Sequence, residues 1–130
     1  IRAKDQTTSV TNAISHATCM TAIDLGAKAI ITVTHSGNTS RMVSKYRPGC
    51  LIVGCSPDER ICRQLNLSWG VAPIYIKEEY SMEILLLHAT EAAEKAGHVK
   101  QGDVVVLTVG VPLGRPGNTN LLKAAVVGEY

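Results

Sequence analysis

The sequence predicts an α/β fold, a three-layer α/β/α sandwich around a mixed five-stranded sheet, and three observations carry that expectation. Short β-branched runs alternate with amphipathic stretches along most of the 130 residues. The core has to be aliphatic, because apolar residues make up 45% of the chain while Phe is absent and Trp69 is the only tryptophan. The last two strands have no helix between them, which makes them an antiparallel pair beside an otherwise parallel set. A chain of this length fits one domain and buries a core without staples.

Residues 1–7 read as a lead-in or interdomain segment and 8–130 as the single domain; an opening on Ile1 instead of Met fits a piece of something longer. From about Thr8 to Leu25, Val10, Ile14, Ala17 and Thr21, flanked by Ala13 and Met20, repeat at helical spacing, with Gly26 placed to end the helix. Ala29 to Thr34 is a short apolar run suited to a strand covered on both faces. A short helix carrying Met42 and Val43 stops by Pro48 and Gly49, and Leu51-Ile52-Val53 is the second strand. Ser56, Pro57 and Glu59 spell a capping box, so the next helix is expected to start at Pro57, bury Ile61 and Leu65, and give out near Asn66.

Val71 to Ile76 is the third strand, and Pro73, which has no N–H for a ladder, puts it on a sheet edge. Ser81 caps a long helix with Met82, Leu85, Leu86, Ala89, Ala93 and Ala96 inward, ended by Gly97. Val104 to Val109 is the most apolar strand and belongs at the centre; Asn120 to Val127 follows a loop rich in Gly and Pro. Right-handed crossovers then give the order third, second, first, fourth, fifth. The chain reverses direction between the first and fourth strands, and ligands of open α/β sheets sit at the carboxyl ends of strands beside such a reversal. Two segments converge there, the turn from Thr34 to Ser40 and the loop 110–119.

The turn has two readings. Backbone N–H groups at a helix start lack intrahelical partners, the macrodipole is positive there, and Thr34, Ser36 and Thr39 add hydroxyls, which together suit a phosphate. Alternatively, Ser36 merely caps the helix while Gly37 permits the turn. Arg115 is either a guanidinium over the crevice or a solvated loop charge, and Arg41 and Lys45 are second choices along the helix. His35 is the one histidine within the turn; His16, His88 and His98 read as structural.

Catalytic patterns are missing. No Gly-x-Ser-x-Gly elbow, Walker loop or dinucleotide Gly-x-Gly-x-x-Gly follows a strand. A phosphorelay receiver would need carboxylates at its strand ends to hold a metal, where this chain has Thr34 and Gly54. Cys19, Cys50, Cys55 and Cys62 are too unevenly spaced for a metal site and read as reduced thiols, which favours a cytoplasmic setting. The formal charge of +2 is small and its Lys and Arg dispersed, against a nucleic-acid or membrane-surface partner. No apolar run approaches the roughly 20 residues of a membrane span.

Several stretches, in order and at the right separations, resemble one family. Asp24-Leu25-Gly26-Ala27-Lys28-Ala29-Ile30-Ile31, Thr34-x-Ser36-Gly37-x-Thr39, Ser44-Lys45-Tyr46-Arg47-Pro48, Lys100-x-Gly102-Asp103 and Gly110-Val111-Pro112-x-Gly114-x-x-Gly117-x-Thr119-Asn120 are similar to the carboxyl-terminal domain of pyruvate kinase, especially bacterial forms. The resemblance covers nearly the whole chain. It implies an allosteric and tetramer-forming domain that binds a phosphorylated effector, with Thr34, Ser36, Gly37, Asn38 and Thr39 in the turn and Gly114, Arg115 and Gly117 in the loop that closes over it. It also implies a separate catalytic barrel as partner, where magnesium and potassium assist phosphoryl transfer from phosphoenolpyruvate to ADP; no cofactor, catalytic residue or activity is implied for this chain alone. Relatives controlled by fructose 1,6-bisphosphate commonly carry an Arg on the helix before the fourth strand. Met82 to His88 contains none, which favours a sugar or nucleotide monophosphate (ribose 5-phosphate, glucose 6-phosphate, AMP) or no effector. The exposed edge of 120–127 offers a surface for homo-oligomer pairing. A free-standing sugar-phosphate-binding module of the same fold is the alternative function.

Overall fold

The computed structural model describes residues 3–79, 81–109 and 121–129. Five strands, β1 (Ala29–Val33), β2 (Leu51–Ser56), β3 (Val71–Tyr75), β4 (Val104–Val109) and β5 (Leu121–Val126), form one sheet in the order β3-β2-β1-β4-β5. β1 pairs in parallel with β2 and β4, β2 with β3, and only β5 runs antiparallel, against β4. This is the architecture expected from the sequence, including the edge position of β3. The helices are α1 (Ala3–Leu25), α2 (Asn38–Lys45), α3 (Glu59–Leu65) and α4 (Met82–Lys95).

Alternation along the strands divides the core in two. Ala29, Ile31 and Val33 of β1 face Leu85, Leu86, Ala89 and Ala93 of α4. Ile30 faces the opposite way, with Cys19 and Ala22 of α1 and Val43 of α2. Every residue of β1 is buried, as a strand covered on both faces requires.

Pro73 explains why the sheet stops at β3. The Ile76 amide donates to the Ser56 carbonyl at 3.1 Å, and amide direction alternates along a strand, so the Pro73 nitrogen faces away from β2. A position that would present an open donor presents none. Val71, the next outward amide, is already spent on the Ser68 carbonyl at 3.4 Å.

Four local expectations are corrected. α1 begins at Ala3, not near Thr8, and its buried stripe is Thr11, Ser15, Thr18, Cys19 and Ala22, one position along from the expected Val10, Ile14, Ala17 and Thr21. Val10 and Met20 are 46% and 45% exposed. The inward stripe consists of small side chains because α1 lies close on the sheet and on α2, and the larger residues stay on its flanks. Nothing in the structure explains why the buried Ser15 hydroxyl has no hydrogen-bond partner among the described residues.

β2 does not end at Val53 but runs on to Ser56, which is still paired with Tyr75. The following helix therefore starts two residues late. Asp58, not Ser56, is its N-cap, accepting from the Arg60 amide at 2.9 Å, while Ser56 Oγ accepts from the Asp58 amide at 3.1 Å. Such a cap is worth about 1 kcal/mol. Ser81 caps α4 as expected, accepting from the Ile84 amide at 3.4 Å, but Ala96 closes the helix in an exposed position and adds nothing to the core.

Candidate functional site

The turn is built by hydroxyls that accept from backbone amides. After β1, the Thr34 amide makes one more bond to the sheet, to the Cys55 carbonyl at 2.9 Å, and the chain then leaves the strand. Thr34 Oγ1 accepts from the Gly37 amide at 2.9 Å, and Ser36 Oγ from the Asn38 amide at 3.2 Å. Gly37 occupies the N-cap position with φ 81°, a left-handed conformation that strains any other residue, and α2 has no side-chain cap bond. Ser36 is thus not the N-cap. It supports the turn one step earlier.

These bonds decide what the turn can offer. The Gly37 and Asn38 amides are occupied, but a hydroxyl that accepts from an amide retains its own hydrogen to donate. Among the described residues, the donors on hand include the hydrogens of Thr34 and Ser36, together with the positive end of α2, where Thr39 stands. Thr39 is buried at the helix start and Asn38 half-buried.

α2 is moored to the sheet by a buried relay. Thr32 Oγ1 lies 3.3 Å from the Val53 carbonyl and 2.6 Å from Ser40 Oγ. Either hydroxyl can donate within the short Thr32–Ser40 pair. Gly54 makes room for it: a Cβ there would lie 3.0 Å from Ser40 Oγ, 3.0 Å from Leu65 Cδ1 and 3.1 Å from Val71 Cγ1.

Charged groups gather on one side of the turn. Arg41 folds back so that Nη2 donates to the Ser36 carbonyl at 2.7 Å. His35 Nε2 is 3.2 Å from Glu78 Oε1, linking the turn to the segment after β3. Beyond that pair lies an open cleft of about 560 Å³ lined by His35, Pro57, Asp58, Arg60, Arg63 and Tyr75, among others. Both signs of charge line it, which gives it no preference for an anion. In the sequence Arg41 is only a second choice and Glu78 does not stand out; the one available signal is that Arg41 lies four residues beyond the turn's glycine, one helical turn on.

The other half of the expected site, Gly114, Arg115 and Gly117, lies outside the described residues. Its point of departure does not. Val33 pairs with Val109, and Val109 with Leu121, so the turn after β1 and the loop between β4 and β5 leave the sheet side by side.

The cysteines are not poised for chemistry. Burial pushes the Cys55 thiol from an ordinary 9.0 up to about 12, with the neighbouring Cys62 adding to it. Burial raises Cys19 to about 11, helped by Cys50, and raises Cys50 and Cys62 as well. All four are free thiols, and no group of three His, Cys, Asp or Glu among the described residues could hold a metal. No described helix is long and apolar enough to cross a membrane.

A family model, that of the pyruvate kinase α/β domain, matches residues 12–125. The chain belongs to the pyruvate kinase family. It is 41% identical over 128 residues to pyruvate kinases of Sporosarcina psychrophila and of Staphylococcus aureus strain USA300, matching 98% of this chain and 22% of theirs. It superposes on a Cryptosporidium parvum pyruvate kinase solved in complex with ADP with a TM-score of 0.81 at 32% identity, covering 91% of this chain and 24% of that one. Another pyruvate kinase structure from the same organism gives 0.80 at 30% identity, covering 91% and 23%. The chain thus spans between a fifth and a quarter of the pyruvate kinases it matches, and corresponds to their carboxyl-terminal α/β domain.

Proposed function

We propose that this domain is the regulatory and subunit-assembly part of a pyruvate kinase, and that the turn 34–40, with the loop 110–119, receives the phosphate of a small phosphorylated effector. The observation that supports the reading is the pair of hydroxyls, Thr34 and Ser36, each with its acceptor side engaged by a backbone amide, at the positive start of α2 beside the paired ends of β1 and β4. Phosphate oxygens only accept hydrogen bonds, and this turn has donors to give. Each charge-assisted bond contributes roughly 1.5–3 kcal/mol before immobilisation and desolvation are subtracted, so three or four suffice for measurable affinity. With no Arg between Met82 and His88, a sugar or nucleotide monophosphate suits the site better than a bisphosphate.

In the whole protein, phosphoryl transfer between phosphoenolpyruvate and ADP, with magnesium and potassium, belongs to a catalytic barrel that acts as this domain's partner. This chain by itself is expected to bind and not to catalyse. Calorimetric titration with ribose 5-phosphate, glucose 6-phosphate and AMP tests the site: Ser36→Ala combined with Thr39→Ala is expected to abolish the heat of binding, and unchanged titration curves would sink the reading.

Assembly is assigned to β5. It lies on the sheet edge opposite β3, with its inner side on β4, and carries no proline. Sedimentation at rising concentration is expected to show self-association that Leu122→Pro removes; a monomer at every concentration would argue against an edge-to-edge contact.

A further inference from the structure

Resting on the phosphate reading of the turn, we infer that Arg41 is a positioning residue for that site: it grips the carbonyl end of the Ser36–Gly37 peptide while Thr34 grips the amide end, and this double hold aims the Thr34 and Ser36 hydroxyl hydrogens at the guest. A peptide unit is planar, with its carbonyl and N–H on opposite edges. Here both edges are held, the carbonyl by Arg41 Nη2 at 2.7 Å and the N–H by Thr34 Oγ1 at 2.9 Å. Rotating the plane breaks one bond or the other.

The glycine completes the arrangement. A Cβ on Gly37 would meet Arg41 Nη1 at 2.8 Å and Ile61 Cγ2 at 3.0 Å, so the guanidinium lies against the bare Cα with α3 behind it. Arg41 sits one helical turn into α2, and its reach back to Ser36 ties the turn to the helix that follows. With the peptide held, Thr34 Oγ1 remains an acceptor for Gly37, and Ser36 Oγ stays in register with the Asn38 amide. A hydroxyl whose acceptor side is engaged in this way has its hydrogen left for an incoming oxygen. Loss of the Arg41 grip frees the plane, lets Thr34 turn its hydrogen elsewhere, and removes the preset geometry that makes binding inexpensive in entropy.

The competing role for Arg41 is direct charge contact with the guest, since a guanidinium has five N–H donors and only one is directed at Ser36 here. Three variants separate the two roles. Arg41→Met removes the head group, Arg41→Gln keeps a neutral donor, and Arg41→Lys keeps the charge. Two measurements are made on each: amide exchange at Gly37 by NMR without ligand, and calorimetric titration with ribose 5-phosphate at low and high salt.

The expected result is faster Gly37 exchange in Arg41→Met, about tenfold weaker binding, an unchanged melting temperature, and partial recovery in Arg41→Gln with the parent's salt dependence. Recovery by Arg41→Lys alone, with a reduced salt dependence in Arg41→Met and Arg41→Gln, overturns positioning in favour of direct contact. Unchanged Gly37 exchange in Arg41→Met overturns the grip itself. A parent chain that takes up no ribose 5-phosphate while its Gly37 amide still depends on Arg41 refutes the phosphate reading and leaves the grip standing.

Discussion

Gly54→Val is expected to destabilise the domain by about 3 kcal/mol, at the upper end of what overpacking a core usually costs. Strand propensity points the other way, because valine favours extended backbone and glycine weakens a strand interior by roughly 0.5–1 kcal/mol. Packing decides the sign. A first carbon at this position would already lie within 3.0–3.1 Å of Leu65, Ser40 and Val71, and valine adds two methyl groups on the same face. Leu65 is fully buried and cannot retreat, and Ser40 is held by Thr32. The strain passes to α2, and with it to the turn that α2 follows. Urea denaturation is expected to show a lower midpoint for Gly54→Val, with Gly54→Ala between it and the parent. A valine variant as stable as the parent would mean that β2 and α2 part without cost, and that the Thr32–Ser40 mooring is not what sets the turn.

Raising the pH from 8 to 11 is expected to remove a large part of the folding free energy. Burial lifts Cys19 from 9.0 to about 11 and Cys55 to about 12, and Cys50 and Cys62 are shifted in the same direction. Below pH 9 these thiols are protonated in both folded and unfolded chains, and their contribution to stability is fully present. Above pH 9 the unfolded chain releases protons that the folded chain keeps, so stability falls as pH rises, through pH 11 for Cys19 and pH 12 for Cys55. Each such thiol costs about 1.4 kcal/mol per pH unit within its window. Against a total of about 5–15 kcal/mol for an ordinary domain, two of them are a heavy charge. Urea titrations at half-unit steps would show the decline, and Cys55→Ala should flatten it. A stability that is level from pH 8 to 11 would show that water reaches these thiols in the folded state.

Both predictions depend on features the sequence discloses unevenly. Strand order was legible because each strand carries its own position: Pro73 demands an edge, the strongly apolar run at 104–109 demands the centre, and the Gly- and Pro-rich sequence before residue 121, unlike a helical repeat, points to an antiparallel neighbour. The turn was legible because Gly37 and its flanking hydroxyls sit directly after a buried strand. What escaped depends on distance between elements. Hydrophobic periodicity favours Val10 and Met20 on α1, but a helix lying close to the sheet selects Thr11, Ser15 and Ala22. Ser56 has the local chemistry of a helix cap, yet pairing with β3 keeps it in the strand. Arg41 reads as a solvated charge on a helix until its head group is seen against the Ser36 carbonyl.

The proline on the outer strand has a consequence for how many copies can join. A sheet with two open edges can add neighbours at both and grow without limit, as fibres do. Here Val71 spends its outward amide on Ser68 and Pro73 has none, which leaves Tyr75 as the one outward donor within β3. Among the described strands, β3 is thus an edge poor in outward donors, while β5 at the opposite edge carries no proline. In the edge-to-edge contact proposed for β5, two joined copies would share one continuous sheet that carries a proline-bearing β3 at either end.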